Sequence, residues 1–244
     1  MTMQVSEPED RVLLSPSDRY AIVGKTGCGK TTFTTYLAAT IVPPQLRAAD
    51  WQVWWFDTKG DPKDVARLQK NGYVEGNPAT GKPMQNKRWW KNDQPPALLY
   101  FRIRDRGEGL SIVDQVQNLY RLALARRRVV CVADEFGQVV VGPRTAGRAM
   151  DDVLTRGRGL GVGNIGETQE PVDIPRKLLS QAQHLFLFDL SFPRDIKYVR
   201  ELLADYERPP ERHAFFHLWL DGDSRPRYYP SLRAWRSGVI EGTG

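Results

Sequence analysis

The sequence contains, at residues 24–31, the segment Gly24-Lys25-Thr26-Gly27-Cys28-Gly29-Lys30-Thr31. It fits the pattern G-x-x-x-x-G-K-[ST], in which glycines let the backbone N–H groups of a loop surround a phosphate. The apolar run Arg19–Val23 precedes the segment and predicts a strand, and Thr31–Thr40 follows it and predicts a helix. This order of strand, glycine-rich loop and helix is the context that the pattern requires. We therefore interpret the segment as a phosphate-binding loop.

The residue types of this loop suit a nucleoside triphosphate. Lys30 can place a positive charge on the β- and γ-phosphates, and Thr31 can offer its hydroxyl to Mg²⁺. We interpret Cys28 as a small structural side chain, with a redox-sensing thiol as the alternative. The residues expected to bind ATP are Gly24, Lys25, Thr26, Gly27, Cys28, Gly29, Lys30, Thr31 and Thr32.

An acidic pair follows a second apolar run. Val129–Ala133 predicts a buried strand, and Asp134 and Glu135 come directly after it. In sheets of parallel strands, ligands bind at the carboxyl ends of the strands. We expect Asp134 to hold Mg²⁺ and Glu135 to orient or deprotonate an attacking water, because phosphoryl transfer depends mainly on positioning. A surface acidic pair is the alternative for this motif alone, but the loop and the pair together predict an NTP hydrolase.

Strand and helix patterns alternate along the chain. Predicted strands are Arg19–Val23, Trp51–Phe56, Ala97–Ile103, Val129–Ala133, Val162–Thr168, Leu185–Leu190 and His213–Leu220; predicted helices are Thr31–Thr40, Ser111–Arg126, Ala146–Arg156, Pro175–Gln181 and Arg194–Tyr206. Such alternation is typical of an α/β fold with a mostly parallel central sheet and helices on both faces. We expect residues 1–18 to be a polar leader and residues 19–244 to form one domain. Within it, residues 71–96 predict an exposed loop or hairpin insertion that stands off the core.

Composition narrows the class of protein. The 35 Lys and Arg residues exceed the 29 Asp and Glu residues, which gives a formal net charge of +6 and favours a polyanionic partner. Apolar runs are too short for a membrane span, and the polar start does not fit a secretory signal, so we expect a cytoplasmic protein. The two cysteines and three histidines do not form a pattern typical of a metal site. His213 and His217 are expected to be ordinary strand positions.

Later motifs give the sequence a family resemblance. They are Asp57-Thr58-Lys59-Gly60 after the second strand, Arg158 in the context Gly157-Arg158-Gly159-Leu160-Gly161, and Thr168-Gln169-Glu170-Pro171 after Val162–Thr168. With the phosphate-binding loop and the acidic pair, their order and spacing resemble the FtsK–HerA group of motor ATPases over roughly residues 19–190. The resemblance implies a RecA-like P-loop NTPase fold. One departure is that Val162–Thr168 is less apolar than a core strand should be.

The resemblance also implies roles for individual residues. Gln169 is similar to the polar sensor beside the γ-phosphate. Arg158 is similar to an arginine finger that reaches the nucleotide of a neighbouring subunit, with Arg156 as an alternative and a solvated helix-end arginine as a third interpretation. A finger that acts between subunits requires a ring, and the family precedent is a hexamer.

The most similar members of this group are the genome-packaging ATPases of membrane-containing double-stranded DNA viruses. The implied activity is ATP-driven translocation of double-stranded DNA into a preformed capsid. The implied partners are DNA, further copies of the chain, and a capsid-vertex or virion membrane protein; the implied location is the host cytoplasm or the packaging vertex of the virion. Chromosome translocases, HerA proteins and coupling proteins of the group carry additional domains or membrane segments that would not fit in a chain of this length, so we expect a bare motor.

Two other functions stay open. The chain could be a conjugation, secretion or filamentous-phage assembly ATPase that moves protein or single-stranded DNA. It could also be a ring component in which ATP is structural or regulatory and turnover is incidental.

Two basic segments are candidates for contacts with partners. Arg144 and Arg148 lie in a segment after the acidic pair that contains Gly142 and Gly147. They could bind DNA phosphates, or they could belong to a solvated loop. Residues Lys87-Arg88-Trp89-Trp90-Lys91 could anchor their loop on the core, dock a partner or contact nucleic acid.

Overall fold

The computed structural model describes residues 12–84, 96–105, 111–142, 145–201, 203–204, 206–220 and 226–240. The strands are β1 (Val12–Leu13), β2 (Arg19–Val23), β3 (Gln52–Asp57), β4 (Val74–Asn77), β5 (Lys82–Pro83), β6 (Leu98–Arg102), β7 (Val129–Ala133), β8 (Val162–Thr168), β9 (His184–Leu187), β10 (Phe215–Trp219), β11 (Arg227–Tyr229) and β12 (Val239–Ile240). The helices are α1 (Lys30–Ile41), α2 (Pro44–Ala48), α3 (Pro62–Lys70), α4 (Ile112–Arg126), α5 (Phe136–Val139), α6 (Arg148–Arg156), α7 (Arg176–Ser180), α8 (Pro193–Arg200) and α9 (Leu232–Gly238).

A central sheet with the order β11-β10-β9-β2-β8-β7-β3-β6-β4-β5 organises the described part of the chain. The strands from β9 to β4 in this order pair in parallel, whereas β10, β11 and β5 add antiparallel edges. Strands β1 and β12 form a separate parallel pair. The predicted α/β fold with a mostly parallel sheet is therefore confirmed.

Helices cover both faces of this sheet. Helices α1, α3 and α9 pack on one face, against alternate strand residues such as Tyr20 and Ile22. Helices α4, α6, α7 and α8 pack on the other face, against the intervening residues such as Ala21 and Val23. Because both faces are buried, β2 and β7 are apolar at successive positions rather than alternately apolar and polar.

The central strand β8 is fully buried although its sequence is polar for a core strand. Each unusual residue has a defined neighbour. The side chain of Asn164 accepts a hydrogen bond from the hydroxyl of Tyr120 at 2.7 Å. Gly163 lies against the chain before β2, where an added Cβ would be 2.0 Å from the carbonyl oxygen of Pro16. Asn164 and Gly163 therefore occur in this strand because their neighbours require a hydrogen-bond partner and a residue without a side chain, and the strand is not exposed.

The hairpin predicted within residues 71–96 is present, as β4 and β5, but the expectation that it stands off the core is wrong. Strand β4 pairs in parallel with β6 and forms a hairpin with β5, so this segment extends the central sheet. Tyr73 is buried, and the turn at Gly81 has a positive φ and packs beside the ring of Trp54. The Trp-rich segment at residues 87–91 lies outside the described residues.

Other predicted boundaries also shift. The predicted helix Arg194–Tyr206 ends as α8 at Arg200, and Tyr206 instead donates a hydrogen bond from its hydroxyl to the carbonyl of Phe188 at 2.8 Å. The polar leader ends earlier than residue 18, because Leu14 and Asp18 are buried against the domain. Helix α3 was not predicted, although Asp61 caps it and Pro62 occupies its first turn.

None of the helices in the described ranges is long and apolar enough to cross a membrane.

The close approach at Gly163 predicts a strong effect of a side chain at this position. Gly163→Val would drive its Cβ into the backbone before β2 and should destabilise the protein by at least about 1–3 kcal/mol. For a domain of this size, each kcal/mol lowers Tm by roughly 2–4 °C. Thermal unfolding measures the shift, and Gly159→Ala is the control because nothing lies within 4 Å of a Cβ there. Equal Tm values for the two variants would contradict the packing.

Candidate nucleotide-binding site

The predicted phosphate-binding loop leaves the carboxyl end of β2 between the ends of two neighbouring strands. The N–H of Gly24 donates to the carbonyl of Thr168, the last residue of β8, at 3.1 Å, and the N–H of Lys25 donates to the carbonyl of Asp189 after β9 at 2.8 Å. Gly27 and Gly29 have φ angles of 76° and 100°, which favour glycine. The loop then enters α1, whose first-turn N–H groups have no partner within the helix. This is the geometry that binds phosphate.

Tight packing explains two small residues of the loop. A Cβ on Gly24 would lie 2.5 Å from the Cβ of Phe188 and 2.9 Å from the Sγ of Cys28. Cys28 is buried, and burial raises the pKa of its thiol above the ordinary value. A buried thiol of raised pKa is mostly protonated at neutral pH, so the position suits the structural role predicted for Cys28.

Lys30 lies inside the curve of the loop. Its Nζ donates hydrogen bonds to the carbonyl oxygens of Gly24 at 2.7 Å and Lys25 at 3.0 Å. Burial lowers the pKa of this ammonium group, against the raising effect of Glu167 and other nearby groups. Lys25, in contrast, pairs with Asp189 at 2.5 Å and helps to hold the loop against the end of β9.

The acidic pair lies at the same edge of the sheet. Asp134 is 1% exposed, and Thr58 donates a hydrogen bond from its hydroxyl to the Oδ1 of Asp134 at 3.2 Å. Burial raises the pKa of Asp134 to about 7, although the charge of Lys59 acts in the opposite direction. Glu135 is half-buried beside it, and its charge acts on the ammonium group of Lys30 in the loop. The structure thus brings Lys30, Thr31 and both acidic residues to one place, as predicted.

Lys59 is a member of this site to which the sequence analysis gave no role. Its Nζ donates to the backbone carbonyl of Asp134 at 2.7 Å and lies 3.8 Å from an Oε of Glu135. Burial alone would lower the pKa of Lys59, but the carboxylates of Asp134, Glu167 and Glu135 raise it above the ordinary value. The sequence did contain a signal for this role. Lys59 comes directly after the strand that ends in Asp57, and residues that follow parallel strands meet at the carboxyl ends of those strands.

Glu167 is a second member that was missed. It is 0% exposed in β8, and its Oε2 accepts a hydrogen bond from the hydroxyl of Thr31 at 3.2 Å. Its other oxygen, Oε1, has no hydrogen-bond partner within the described part of the chain. Burial raises the pKa of Glu167, which the positive charges of Lys59 and Lys30 partly offset. An acidic residue inside a buried strand, two positions before Gln169, was the signal for it.

Gln169 joins the loop to the acidic pair. Its side-chain oxygen accepts a hydrogen bond from the hydroxyl of Thr26, and its Nε2 donates to the Oε2 of Glu135 at 2.9 Å. The predicted sensor therefore lies between the phosphate-binding loop and the predicted general base. A group bound on the loop can act on Glu135 through this one side chain.

The two candidate finger arginines lie at the amino-terminal ends of the strands, opposite the end at which the phosphate-binding loop and the acidic pair lie. Arg158 precedes β8, whose seven residues separate it from the loop by roughly 20 Å. Its Nε lies 3.2 Å from the Oδ1 of Asp18, and the Oδ2 of Asp18 lies 3.4 Å from the buried His184. Arg156 is more exposed and pairs with Asp152 one helical turn earlier, at 3.0 Å. Neither arginine is placed near the nucleotide site of its own chain.

The candidate DNA contacts are only partly described. Arg148 is exposed at the first position of α6, and Arg144 lies outside the described residues. The histidines do not converge, because His217 is buried in β10 beside His184, at 3.1 Å, whereas His213 lies beside the loop. Within the described ranges, no three His, Cys, Asp or Glu side chains group as metal ligands.

The residues present do fit Mg²⁺ bound together with a nucleotide. This ion takes hydroxyl, carboxylate, water and phosphate oxygens, and it seldom needs a protein-only cage. The hydroxyl of Thr31 and the carboxylate of Asp134 are such donors. The buried carboxylates of Asp134 and Glu167 both have raised pKa values, and one Glu167 oxygen lacks a partner, so this edge of the sheet favours an added cation.

Comparison with known proteins identifies relatives by fold and not by sequence. No protein-family model and no curated protein matches the sequence. Among solved structures, the genome packaging NTPase B204 from Sulfolobus turreted icosahedral virus 2, in complex with ATP-gammaS, has a TM-score of 0.62 at 16% identity, covering 90% of this chain and 100% of B204.

Two further structures share the fold. VirB4 of Thermoanaerobacter pseudethanolicus has a TM-score of 0.55 at 13% identity, covering 89% of this chain and 91% of that one. EssC (ATPases 2 and 3) from Geobacillus thermodenitrificans has a TM-score of 0.55 at 12% identity, covering 89% of this chain and 40% of EssC. The predicted P-loop NTPase fold, and its likeness to packaging ATPases, are thereby confirmed.

The raised pKa of Asp134 predicts a pH-dependent stability in the absence of metal and nucleotide. Between its ordinary value of 3.8 and about 7, the folded protein binds more protons at this residue than the unfolded chain does, so stability falls as pH rises. Asp134→Asn removes this effect, which is worth at most roughly 4 kcal/mol. In EDTA, we expect the variant to have a higher Tm than wild type at pH 8 and a much smaller advantage at pH 5.

Asp189→Asn is the control of opposite sign. The guanidinium of Arg208, and then Lys25, hold the pKa of Asp189 below its ordinary value, so its ionised form stabilises the fold. This variant should have a lower Tm than wild type at pH 8. A Tm of Asp134→Asn below that of wild type at pH 8 would contradict the burial of a destabilising charge.

Proposed function

We propose that this chain is an ATP-driven motor of the FtsK–HerA group that translocates double-stranded DNA and packages a viral genome into a preformed capsid. One observation carries the proposal. Lys30, Thr31, Asp134, Glu135 and Gln169 converge at one edge of the sheet, in a P-loop fold shared with a packaging NTPase. Apart from the Arg158 segment, the motifs that resemble this group in sequence therefore lie together in space.

The chain's own residues divide the work of ATP hydrolysis. The loop N–H groups and Lys30 bind the phosphates, and Thr31 and Asp134 would hold Mg²⁺, which when bound offsets charge on the phosphate oxygens. Glu135 orients the attacking water and accepts its proton. Lys59 holds the backbone of Asp134 and lies near Glu135, so it positions this pair. Gln169 links the occupied loop to Glu135.

The position of Arg158 supports a ring. Arg158 lies across the sheet from the loop of its own chain, so as an arginine finger it would serve a neighbouring subunit. Its guanidinium Nε pairs with the buried carboxylate of Asp18, while the side chain stays 51% exposed, so the other guanidinium nitrogens would have to reach the neighbouring nucleotide. We propose a homo-oligomeric ring, with a hexamer as the family precedent, in which each nucleotide lies between two subunits.

The comparison with B204 supports DNA as the cargo. B204 from Sulfolobus Turreted Icosahedral Virus is described as the DNA-packaging ATPase, and structures of B204 from Sulfolobus turreted icosahedral virus 2 contain ATP-gammaS, AMPPCP or AMP. The likeness extends over the whole of the B204 chain. The net charge of +6 suits a polyanion, and Arg144 and Arg148 would contact phosphates on the channel side. The further partner would be a capsid-vertex or virion membrane protein, and the chain would act in the host cytoplasm or at that vertex.

The second candidate is a conjugation, secretion or filamentous-phage assembly ATPase. The likeness to VirB4 and EssC favours it, at TM-scores of 0.55. These values are lower than the 0.62 for B204, and the chain covers 40% of EssC. The cargo distinguishes the candidates, because only the first predicts stimulation by duplex DNA.

Steady-state ATPase rates test motor, ring and cargo together. Long double-stranded DNA should stimulate the rate more than single strands do, and the rate per subunit should rise cooperatively with protein concentration. Lys30→Ala should abolish turnover, and Arg158→Ala should lower it by on the order of a thousandfold. Mixing the two variants should restore activity, because a Lys30→Ala subunit still offers Arg158 to an intact neighbouring site. Arg156→Ala is the matched control.

Two results would contradict the corresponding parts of this proposal. Absence of stimulation by any DNA would exclude the DNA motor and favour the secretion or assembly candidate. Failure of mixing to restore activity, together with a larger loss in Arg156→Ala, would assign the finger to Arg156.

Glu135→Gln separates hydrolysis from nucleotide binding. The amide can still accept the hydrogen bond from Gln169 but cannot act as a base, so turnover should fall by about 10²–10⁴-fold while ATP binding is kept. Packaging of DNA in an assembly assay should be lost with it. Packaging at the wild-type level would instead favour the nucleotide-gated structural or regulatory ring.

A further inference from the structure

Asp18 is a buried carboxylate at the amino-terminal ends of the strands, one residue before β2. Only 4% of the residue is exposed, and its side chain lies between Arg158 on the protein surface and His184 inside the sheet. The phosphate-binding loop and the acidic pair lie at the other ends of the strands, so their chemistry does not use Asp18. A buried carboxylate is costly unless it is paired and hydrogen-bonded, so its neighbours indicate what it is there to hold.

The backbone of Asp18 is fixed against the central strand β8. Its carbonyl oxygen accepts a hydrogen bond from the N–H of Asn164 at 3.1 Å, and its N–H donates to the carbonyl of Ser15 at 3.1 Å. The same carbonyl oxygen would lie 3.0 Å from a Cβ added to Gly163, so the two segments are in close contact. Asp18 therefore cannot shift without disturbing β8.

One carboxylate oxygen of Asp18 is bound from inside the protein. Oδ2 accepts a hydrogen bond from the N–H of Ser15 at 3.2 Å and lies 3.4 Å from the Nε2 of His184. The Nδ1 of His184 lies 3.1 Å from the Nε2 of His217. Because an ionised carboxylate only accepts hydrogen bonds, Nε2 of a neutral His184 ring donates to Asp18, and Nδ1 accepts from His217. These contacts fix the orientation of the carboxylate.

The other carboxylate oxygen, Oδ1, is paired with Arg158. It has no hydrogen-bond partner within the described residues, and the Nε of Arg158 lies 3.2 Å from it. The side chain of Arg158 is 51% exposed, so this ion pair joins a fixed interior group to an accessible guanidinium. A guanidinium is planar, so a contact at Nε also restricts the plane in which its two terminal nitrogens lie.

Arg156, the alternative finger, has a partner of a different kind. One of its terminal nitrogens pairs with Asp152 at 3.0 Å, one turn earlier in α6. The side chain of Arg156 is 65% exposed and that of Asp152 is 32% exposed. Ion pairs at such helix surfaces are weak, because solvent screens the charges. Asp18 and Asp152 therefore form a matched comparison, in which the acidic partner of Arg158 is fixed by the protein interior and that of Arg156 is accessible to solvent.

We propose that Asp18 is the positioning residue for Arg158, and that it holds the guanidinium of the finger in the orientation in which it meets the nucleotide of the neighbouring subunit. This inference rests on the proposed function, because it assumes that Arg158 serves a neighbouring site. Asp18 acts through Arg158 and does not itself touch the nucleotide. By restricting the side chain beforehand, it lowers the conformational entropy that Arg158 must lose when the ring forms.

Asp18→Asn removes the ion pair and can keep the interior contacts. The amide oxygen can take the place of Oδ2 beside Ser15 and His184, which turns the NH₂ group, a donor, towards Arg158. For the full-length protein at saturating concentration and without DNA, kcat should fall by about ten- to a hundredfold, because small displacements of a positioned group are costly. KM for ATP should stay unchanged. Asp152→Asn is the matched control and should keep the wild-type kcat.

Two further readouts distinguish positioning from a structural role. In the Arg158→Ala background, Asp18→Asn should cause no further loss of kcat, because the group that it holds is absent. Mixing Asp18→Asn with Lys30→Ala subunits should restore turnover, because a Lys30→Ala subunit offers a correctly held Arg158 to the intact site of its neighbour. Mixing would not restore a subunit with a damaged fold or a damaged nucleotide site.

A measurement on wild type does not depend on the folding of a variant at residue 18. The Nε–H of Arg158, identified in the NMR spectrum by its loss in Arg158→Ala, should exchange with water more slowly than the Nε–H of Arg156. If Asp18→Asn does not fold, this comparison decides. Equal or faster exchange at Arg158 would show that Asp18 does not hold the guanidinium and would overturn the proposal.

The turnover results separate this inference from the proposed function. A wild-type kcat in Asp18→Asn, an additive loss in the double variant, or restoration by mixing for Arg158→Ala but not for Asp18→Asn would overturn only the role of Asp18. If Arg158→Ala keeps wild-type turnover, the finger is wrong and the role of Asp18 fails with it. If the results for Asp18 and Arg158 hold and DNA does not stimulate hydrolysis, the role of Asp18 stands and the DNA motor is wrong.

Discussion

Strand β8 pairs in parallel with β2 on one side and with β7 on the other, and the register of these pairs positions the whole site. Val23, the last residue before the loop, lies opposite Thr168, and Ala133, the last residue before the acidic pair, lies opposite Gly166. A shift of one residue would turn Glu167 to the other face of the sheet. The hydroxyl contact between Thr31 and Glu167 depends directly on this register.

The cost of this arrangement is a group of buried carboxylates. Asp134 and Glu167 are almost inaccessible, and burial raises the pKa of both. Lys59 and Lys30 provide nearby positive charge, but an oxygen of Glu167 still lacks a hydrogen bond within the described residues. Two buried carboxylates thus lie near each other at the site, and a bound cation would stabilise their ionised forms. Such perturbed carboxylates are typical of functional sites.

Local patterns were enough to predict much of this fold and site from the sequence. The loop and the acidic pair follow short apolar strands, so their meeting at one edge follows from parallel pairing. Contacts between residues far apart in the sequence were harder to predict. Strand β4 carries no alternating pattern, and its pairing with β6 depends on residues far apart in sequence. No role was predicted for Lys59 or Glu167, because the sequence does not show that β3 and β8 are the neighbours of β7 and so place both residues beside the acidic pair.

Contacts on two sides hold the phosphate-binding loop, one set with residues that follow β8 and the other with residues that follow β9. The loop therefore connects the two sets of residues. On the side of β8, Thr26 bonds to Gln169, which bonds to Glu135. On the side of β9, Lys25 pairs with Asp189, and the carbonyl of Cys28 accepts from His213. A ligand that moves the loop must therefore disturb groups on both flanks. Because the loop is linked through Gln169 to the predicted general base, and also contacts the segment leading into β10, a group bound on the loop would act on one connected set of hydrogen bonds.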